Sequence, residues 1–214
     1  MTDIFREVEE DLRSERYQKL WNRYGRFVIG AAVGIVVVTA LWQAWAGWER
    51  SKNETAGERF IAATQILQRG QAGMAITLLE ALEADAHAGY ATMARLQRAS
   101  ALITAGDRRE AISLYDQVAA DTGVDKPIRD LAALLAAQNL LDTADRPTLE
   151  RRLAPLNNEA NPWRFSAREM LALTALKAND VPKTRELFTA LADDQAAPQG
   201  VRARAAEMLA ALGA

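Results

Sequence analysis

The side chains able to do covalent or acid–base chemistry are few and scattered. The one histidine, His87, stands beside Ala88-Gly89. It has no carboxylate or hydroxyl at the spacing of a nucleophile–base pair, and it reads as a solvated turn residue. Cysteine is absent, which removes thiol chemistry, Cys/His metal spacing and a disulfide framework together. Neither G-x-S-x-G nor a P-loop occurs. The acids Asp85, Asp121 and Asp194 recur at one position of a repeat, which marks them as helix-end or turn residues. Catalysis needs convergent polar groups in a pocket, and the sequence supplies none. The expectation is a protein that is not an enzyme, with no cofactor, no metal and no small-molecule substrate. The formal net charge of −2 also argues against nucleic acid, which calls for a basic stripe. Binding through apolar helix faces is the chemistry that remains.

Those faces belong to a repeat. Beyond residue 48 the chain is rich in Ala and Leu and poor in β-branched residues, a helical composition. Four windows align without gaps: Gly70 to Asp85, Gly106 to Asp121, Ala144 to Glu159 and Asn179 to Asp194. Their starts lie 36, 38 and 35 residues apart. Each opens on a small or turn-forming residue, which suits a reversal between two helices. Each closes on an acid. Before each window lies a second apolar-periodic helix: Phe60 to Leu67, Met93 to Ile103, Leu131 to Leu141 and Phe165 to Leu176. The third window carries Pro147, Leu149 and Pro155, so its second helix should be short or irregular. Residues 198–214 begin with Pro and turn polar on one side, as the end cap of a solenoid does.

The period is close to the tetratricopeptide length of 34 residues. "ALITAGDRREAISLYDQV" (Ala101 to Val118) resembles that family's core, with Ala99, Gly106, Ala111 and Tyr115 at its small, Gly, Ala and aromatic places. The fold class expected is all-α, with about four helix pairs plus a capping helix. In tetratricopeptide proteins the first helix of each pair lines the concave surface. The resemblance puts a partner groove on Phe60, Leu67, Met93, Leu96, Ile103, Leu134, Leu141 and Leu173, with Thr64, Ser100, Leu131, Gln138, Glu169 and Leu176 in the same lining. The lining is mostly apolar and lacks the bases of a carboxylate clamp. It suits an apolar segment of a partner or an unfolded chain. In so small a domain the same leucines also serve as core between helices.

The N-terminal quarter is different. Between Arg26 and Glu49 there is no ionisable side chain. A bilayer core needs about 20 apolar residues, and Phe27 to Ala46 provides that length with only Thr39 and Gln43 polar. A soluble helix would show a polar face, and none is present. Trp42, Trp45 and Trp48 crowd one end; Tyr17, Trp21 and Tyr24 crowd the other, as at headgroup level. Ala44-Trp45-Ala46 has the form of a signal-peptide cleavage site, but the apolar run exceeds a usual signal core. An uncleaved span is the better reading. Arg13, Arg16, Lys19, Arg23 and Arg26 precede the run, against Arg50, Lys52 and Arg59 after it, so positive charge keeps the N-terminus inside. The organisation expected is a cytoplasmic tail at 1–26, a transmembrane helix at 27–46 and an exported domain at 47–214. That is a single-pass protein of a bacterial inner membrane, with the C-terminal domain periplasmic and lipid as one partner. Gly30 and Gly34 form a GxxxG through which the span could pair with itself or another span. In the tail, two apolar stripes out of phase, Ile4/Phe5/Val8/Leu12 and Tyr17/Leu20/Trp21/Tyr24, predict two short helices with a break near Ser14. An anchoring tail is the simpler reading of it, a docking peptide the sharper one. No Pro interrupts residues 28 to 69, so the first repeat helix should run almost directly out of the span.

The layout as a whole is similar to the YfgM-like ancillary subunits of the Sec translocon. "DIFREVEEDLR…KLWNRYGRFVIG" (Asp3 to Gly30) resembles the alphaproteobacterial form, as does the stretch from Gly89 to Val118. The resemblance implies an accessory subunit beside the translocon that passes exported chains to periplasmic chaperones. The alternative expectation is a structural scaffold for another envelope assembly, in division or outer-membrane biogenesis.

Overall fold

The computed structural model describes the backbone of residues 3–213, and the side chains of residues 23–213 except 25, 26, 28, 32, 49 and 88. Among these residues there are helices and turns and no strand. The chain divides into two units, residues 1–54 and 55–214.

The first unit is carried by α1, a helix over Asp3–Gln68. The predicted break near Ser14 does not occur: α1 runs unbroken through that residue. The two stripes change phase on one helix, because no Pro or Gly interrupts residues 3–24. The side chains of Phe5, Val8 and Leu12 lie outside the described residues. The stretch Ile29–Gln68 includes an 18-residue window long and apolar enough to cross a membrane, and none of that window is buried. Ile35, Val36, Leu41 and Trp42 are all exposed. The hydroxyl of Thr39 donates to the carbonyls of Ile35 and Val36, each at 2.9 Å. The helix thus satisfies the run's one hydroxyl internally, which an apolar solvent would demand. At the far end the Lys52 ammonium lies 3.8 Å from the Trp48 ring centroid.

The second unit takes the end of α1 and then α2 (Ala72–Asp85), α3 (Ala88–Ala105), α4 (Arg108–Ala120), α5 (Lys126–Leu140), α6 (Arg146–Leu153), α7 (Arg164–Lys177), α8 (Val181–Asp193) and α9 (Gln199–Ala211). Four pairs and a capping helix result, as the windows predict. Each reversal is built locally. Gly70, Gly106 and Asn179 take left-handed backbone, with φ of 80°, 92° and 60°. After α3 the N–H of Gly106 donates to Ile103 and that of Asp107 to Leu102, a Schellman closure of the helix end. Gly70–Gln71 and Asn179–Asp180 repeat the pattern. The next residue then opens the second helix: Asp107, Asp145 and Asp180 accept from the backbone N–H three residues on, at 3.1 to 3.2 Å.

Two positions set how closely each pair crosses. Seven residues before the turn stand Ala63, Ala99, Ala137 and Ala172, and five after it Ala75, Ala111, Leu149 and Thr184; none is more than 1 % exposed. The buried Thr184 hydroxyl is satisfied by the Asp180 carbonyl at 2.8 Å. Small residues at both points bring the helices together, and Leu149 is the exception. Its helix α6 is eight residues long and passes into a 3-10 turn, Ala154–Leu156, at Pro155. The irregularity predicted for the third window is there.

The core follows the chain in four clusters. Ala56, Ala63, Leu79 and Leu82 pack with Ala94 and Ala101. Ala99, Leu102, Leu114 and Tyr115 pack with Ala136. Leu134 and Ala137 pack with Leu153, Leu156 and Met170, and Phe165, Phe188 and Leu191 with Val201 and Ala205. Each cluster joins one pair to the next, the nearest-neighbour construction of a solenoid. The α9 cap, begun by Pro198, closes the last cluster.

Candidate interaction surface

The first helix of each pair positions the expected groove residues. Phe60 and Leu67, on α1, are half-buried and pack against the first cluster. Leu96 and Ile103, on α3, do the same against the second. Leu134 is buried at 6 % exposure, within the third. Leu173 packs on the fourth, and Leu141 ends α5 half-buried. Met93 stands apart at 48 % exposure near the start of α3. Ser100 and Leu131 are half-buried and Gln138 is exposed, while the Thr64 hydroxyl is committed to the Phe60 carbonyl at 2.9 Å. Through the first three pairs this lining holds no ionisable side chain. Glu169 introduces one in the fourth, where Arg204 grips it with two bonds of 2.6 and 2.7 Å. Gly30 and Gly34 lie on α1 with nothing within 4 Å of a Cβ built at either.

The charges gather away from the lining, and they repeat. Arg59 reaches Asp85 at 3.4 Å, Arg95 reaches Asp121 at 3.7 Å and Arg168 reaches Asp194 at 3.7 Å. Each arginine lies 26 residues before its acid. These are the acids that close the windows, so each clasps the first helix of its own pair. In the third pair Ala133 replaces the arginine, and Glu159 turns instead to Arg164 and Arg168 of the next pair. A sequence reading that treats the acids only as helix ends misses this clasp; the arginine recurring at a fixed offset was its signal. Exposed pairs of this kind each contribute little, about 0–1 kcal/mol. Their regularity matters more for register than for stability.

Other links run between pairs. Glu83 on α2 meets Arg95 at 2.7 Å and Arg98 at 3.3 Å on α3. Arg152 on α6 forks onto Asp116 on α4 at 2.6 and 3.0 Å, and that hydrogen bonding raises the guanidinium's pKa. Asp180 is held below its ordinary carboxylate pKa by Arg146 first and the Lys183 N–H second. Asp145 is lowered by its hydrogen bonds with Thr148. Burial pushes the Tyr115 phenol up. His87 is exposed in the turn before α3, as its position implies. Among the described residues no group of His, Cys, Asp and Glu could hold a metal. The perturbed groups sit at helix ends, in ion pairs or, for Tyr115, in the core between pairs, so the arrangement can clasp and present surfaces.

Repeated helix pairs, crossing at small residues and capped at one end, define a class of interaction scaffold. The chain matches the tetratricopeptide repeat-like domain family over residues 18–157, and it belongs to that family. The match ends where the third pair ends. No curated protein matches the chain. Among solved structures it is similar to the nearly identical TPR-like repeats of a protein described as a kinesin light chain from Podosopora anserina. That likeness has a TM-score of 0.58 at 19 % identity and covers 72 % of this chain and 83 % of the other. That structure is a single-substitution variant of the repeats; the form without the substitution gives 0.56 at 18 %, with the same coverage. At such identity the likeness is one of fold.

Proposed function

We propose that the protein is a membrane-anchored scaffold that binds other polypeptides, with residues 1–26 cytoplasmic, 27–46 spanning a bacterial inner membrane and 47–214 periplasmic. The observation that carries the binding half is the uncharged lining of the first three pairs. In a chain that is 25 % charged, the eleven lining positions from Phe60 to Leu141 carry no ionisable group, and Met93 among them is exposed. An apolar, extended segment of another chain fits that chemistry. The exposed apolar run in α1 supports the anchor. The resemblance to YfgM-like subunits favours a post beside the Sec translocon, with exported chains and periplasmic chaperones as partners.

The deciding experiment purifies the full chain in mild detergent and identifies what comes with it. Met93→Ser, Leu96→Ser and Ile103→Ser are then compared for retained partner and for denaturation midpoint. A groove predicts that Met93→Ser loses partner at unchanged stability. If all three lose stability in proportion to binding, the groove reading fails. Recovery of division or outer-membrane assembly proteins without translocon subunits would reassign the post. For topology, a reporter fused after Ala214 that works only in the periplasm should be active and membrane-bound.

A further inference from the structure

One end of the solenoid is closed and the other is open. Eight residues after each turn the second helices carry Leu78, Leu114, Arg152 and Leu187. Leu114 is 4 % exposed, in a cluster to which Ile76 of the preceding pair contributes. Arg152 reaches back to Asp116 of the preceding second helix, and Leu187 is half-buried. Leu78 has no pair before it and is 41 % exposed. Met74 at 56 % and Ile61 of α1 at 57 % are open as well.

The exposed residues have a pattern. The inner stripe of α2, Ala72, Ala75, Leu79 and Leu82, is buried in its own unit. Gln71, Met74, Leu78, Ala81 and Asp85 form a second stripe at intervals of three and four, the spacing of a helix-pairing seam. It lies on the flank opposite Ile76, Glu80 and Glu83, the residues that engage the α3 side. On α1 the neighbouring exposed positions are Ile61, Ala62 and Gln65. The α2 stripe carries no charge from Gln71 to Ala81, while on α1 and just past its end exposed Glu58 and Arg69 lie one turn to either side of Ile61, Ala62 and Gln65. The edge of the face carries the Arg59–Asp85 pair.

We propose that a second copy of this chain covers the face. A two-fold axis along α1 and α2 sets α2 of one copy against α1 of the other. Met74, Leu78 and Ala81 then meet Ile61, Ala62 and Gln65, and the two Arg59–Asp85 pairs come together as four alternating charges. A like-on-like contact does not set one sign against itself, because the face carries both, Arg59 and Arg69 with Glu58 and Asp85, around the uncharged α2 stripe. The opposite end does not match this face: α9 presents Arg204 and Glu207 among alanines and no stripe of large apolar residues, as a capping helix does. An isologous contact at the open end closes at two copies. On the anchor reading, two chains in one bilayer also run in the same direction and meet at raised effective concentration. The dimer face and the groove are separate, so either reading can fail alone.

The chain has no cysteine, which makes single-cysteine crosslinking clean. Full-length chains bearing Leu78→Cys are co-reconstituted into lipid vesicles with chains bearing Ile61→Cys and treated with a short bismaleimide. The expected result is a mixed adduct, with none from Ala206→Cys on the exposed side of α9. Adding Met74→Glu to the Leu78→Cys chain should reduce the adduct to that background with the helical melting curve unchanged, since Met74 is exposed. The Gly30→Leu/Gly34→Leu background separates this contact from pairing of the spans: an adduct that persists there belongs to the body. An adduct from Ala206→Cys as strong as from Leu78→Cys overturns the proposal. So does shielding of Leu78→Cys from maleimide by vesicles without any adduct, which would assign the face to lipid.

Discussion

The second and third helix pairs do the same job with different materials. The second has Gly106 in left-handed backbone, a thirteen-residue α4 and Ala111 fully buried at the crossing. The third has Ala144 at the turn, Pro147 in the first turn of α6, and Leu149 at the crossing. It also replaces an apolar contact with the preceding second helix by the Arg152–Asp116 ion pair. The third pair keeps its place in the solenoid because the core is assembled between neighbours. Leu153, at the end of a helix of only two turns, and Leu156, in the 3-10 turn after it, reach α5 and α7. A single repeat can therefore lose half its second helix where the residues facing its neighbours are kept.

The sharpest way to break this comparison is Leu153→Ala. The side chain is fully buried, and removing it should cost about 2–5 kcal/mol. Because α6 is short, unfolding should spread through α5 and α7, read as lost amide protection there. Ala111→Trp strikes the regular pair instead. Overpacking the crossing should cost about 1–3 kcal/mol and loosen α5 through Ala136. A melting temperature equal to wild type would place the crossing elsewhere. Asp107→Ala removes the cap of α4 and should cost about 1 kcal/mol in chemical denaturation.

Acid should single out the third and fourth pairs. Asp145 and Asp180 have pKa values lowered on folding. The stability they contribute is present above the ordinary carboxylate value and disappears as pH falls through the lowered one. The loss sets in below pH about 4, and the Asp145→Asn/Asp180→Asn chain should show a flatter acid limb in a pH series of melting curves. Arg152→Leu, which restores the apolar residue found in the other pairs, should change stability least. Its ion pair is about a third exposed on each side, so the effect should fall within about 0.5–1 kcal/mol.

Much of the repeat was legible in the sequence because it depends on local chemistry. Left-handed turns favour Gly or Asn, capping favours Asp, and crossings favour Ala, and each of these can be read residue by residue. Pro147 and Pro155 announced the short α6 for the same reason. The tail was misread because a shift of apolar phase does not break a helix whose residues all favour one. The clasps of Arg59, Arg95 and Arg168 were hidden because charges on a helix look solvated until their partners fall into place. Groove and core shared one apolar signature, so periodicity could not separate exposed Met93 from buried Leu134. What distinguishes them is which neighbour stands over each side chain.

The nearest-neighbour core carries a consequence for length. Since each cluster involves only adjoining pairs, inserting one unit of about 35 residues between Asp121 and Asp125 would lengthen the lining by one step and leave the ends as they are. The molecule is in that sense a ruler graduated in helix pairs. The reach of its lining is set by how many times the unit was copied, independently of what any one copy grips.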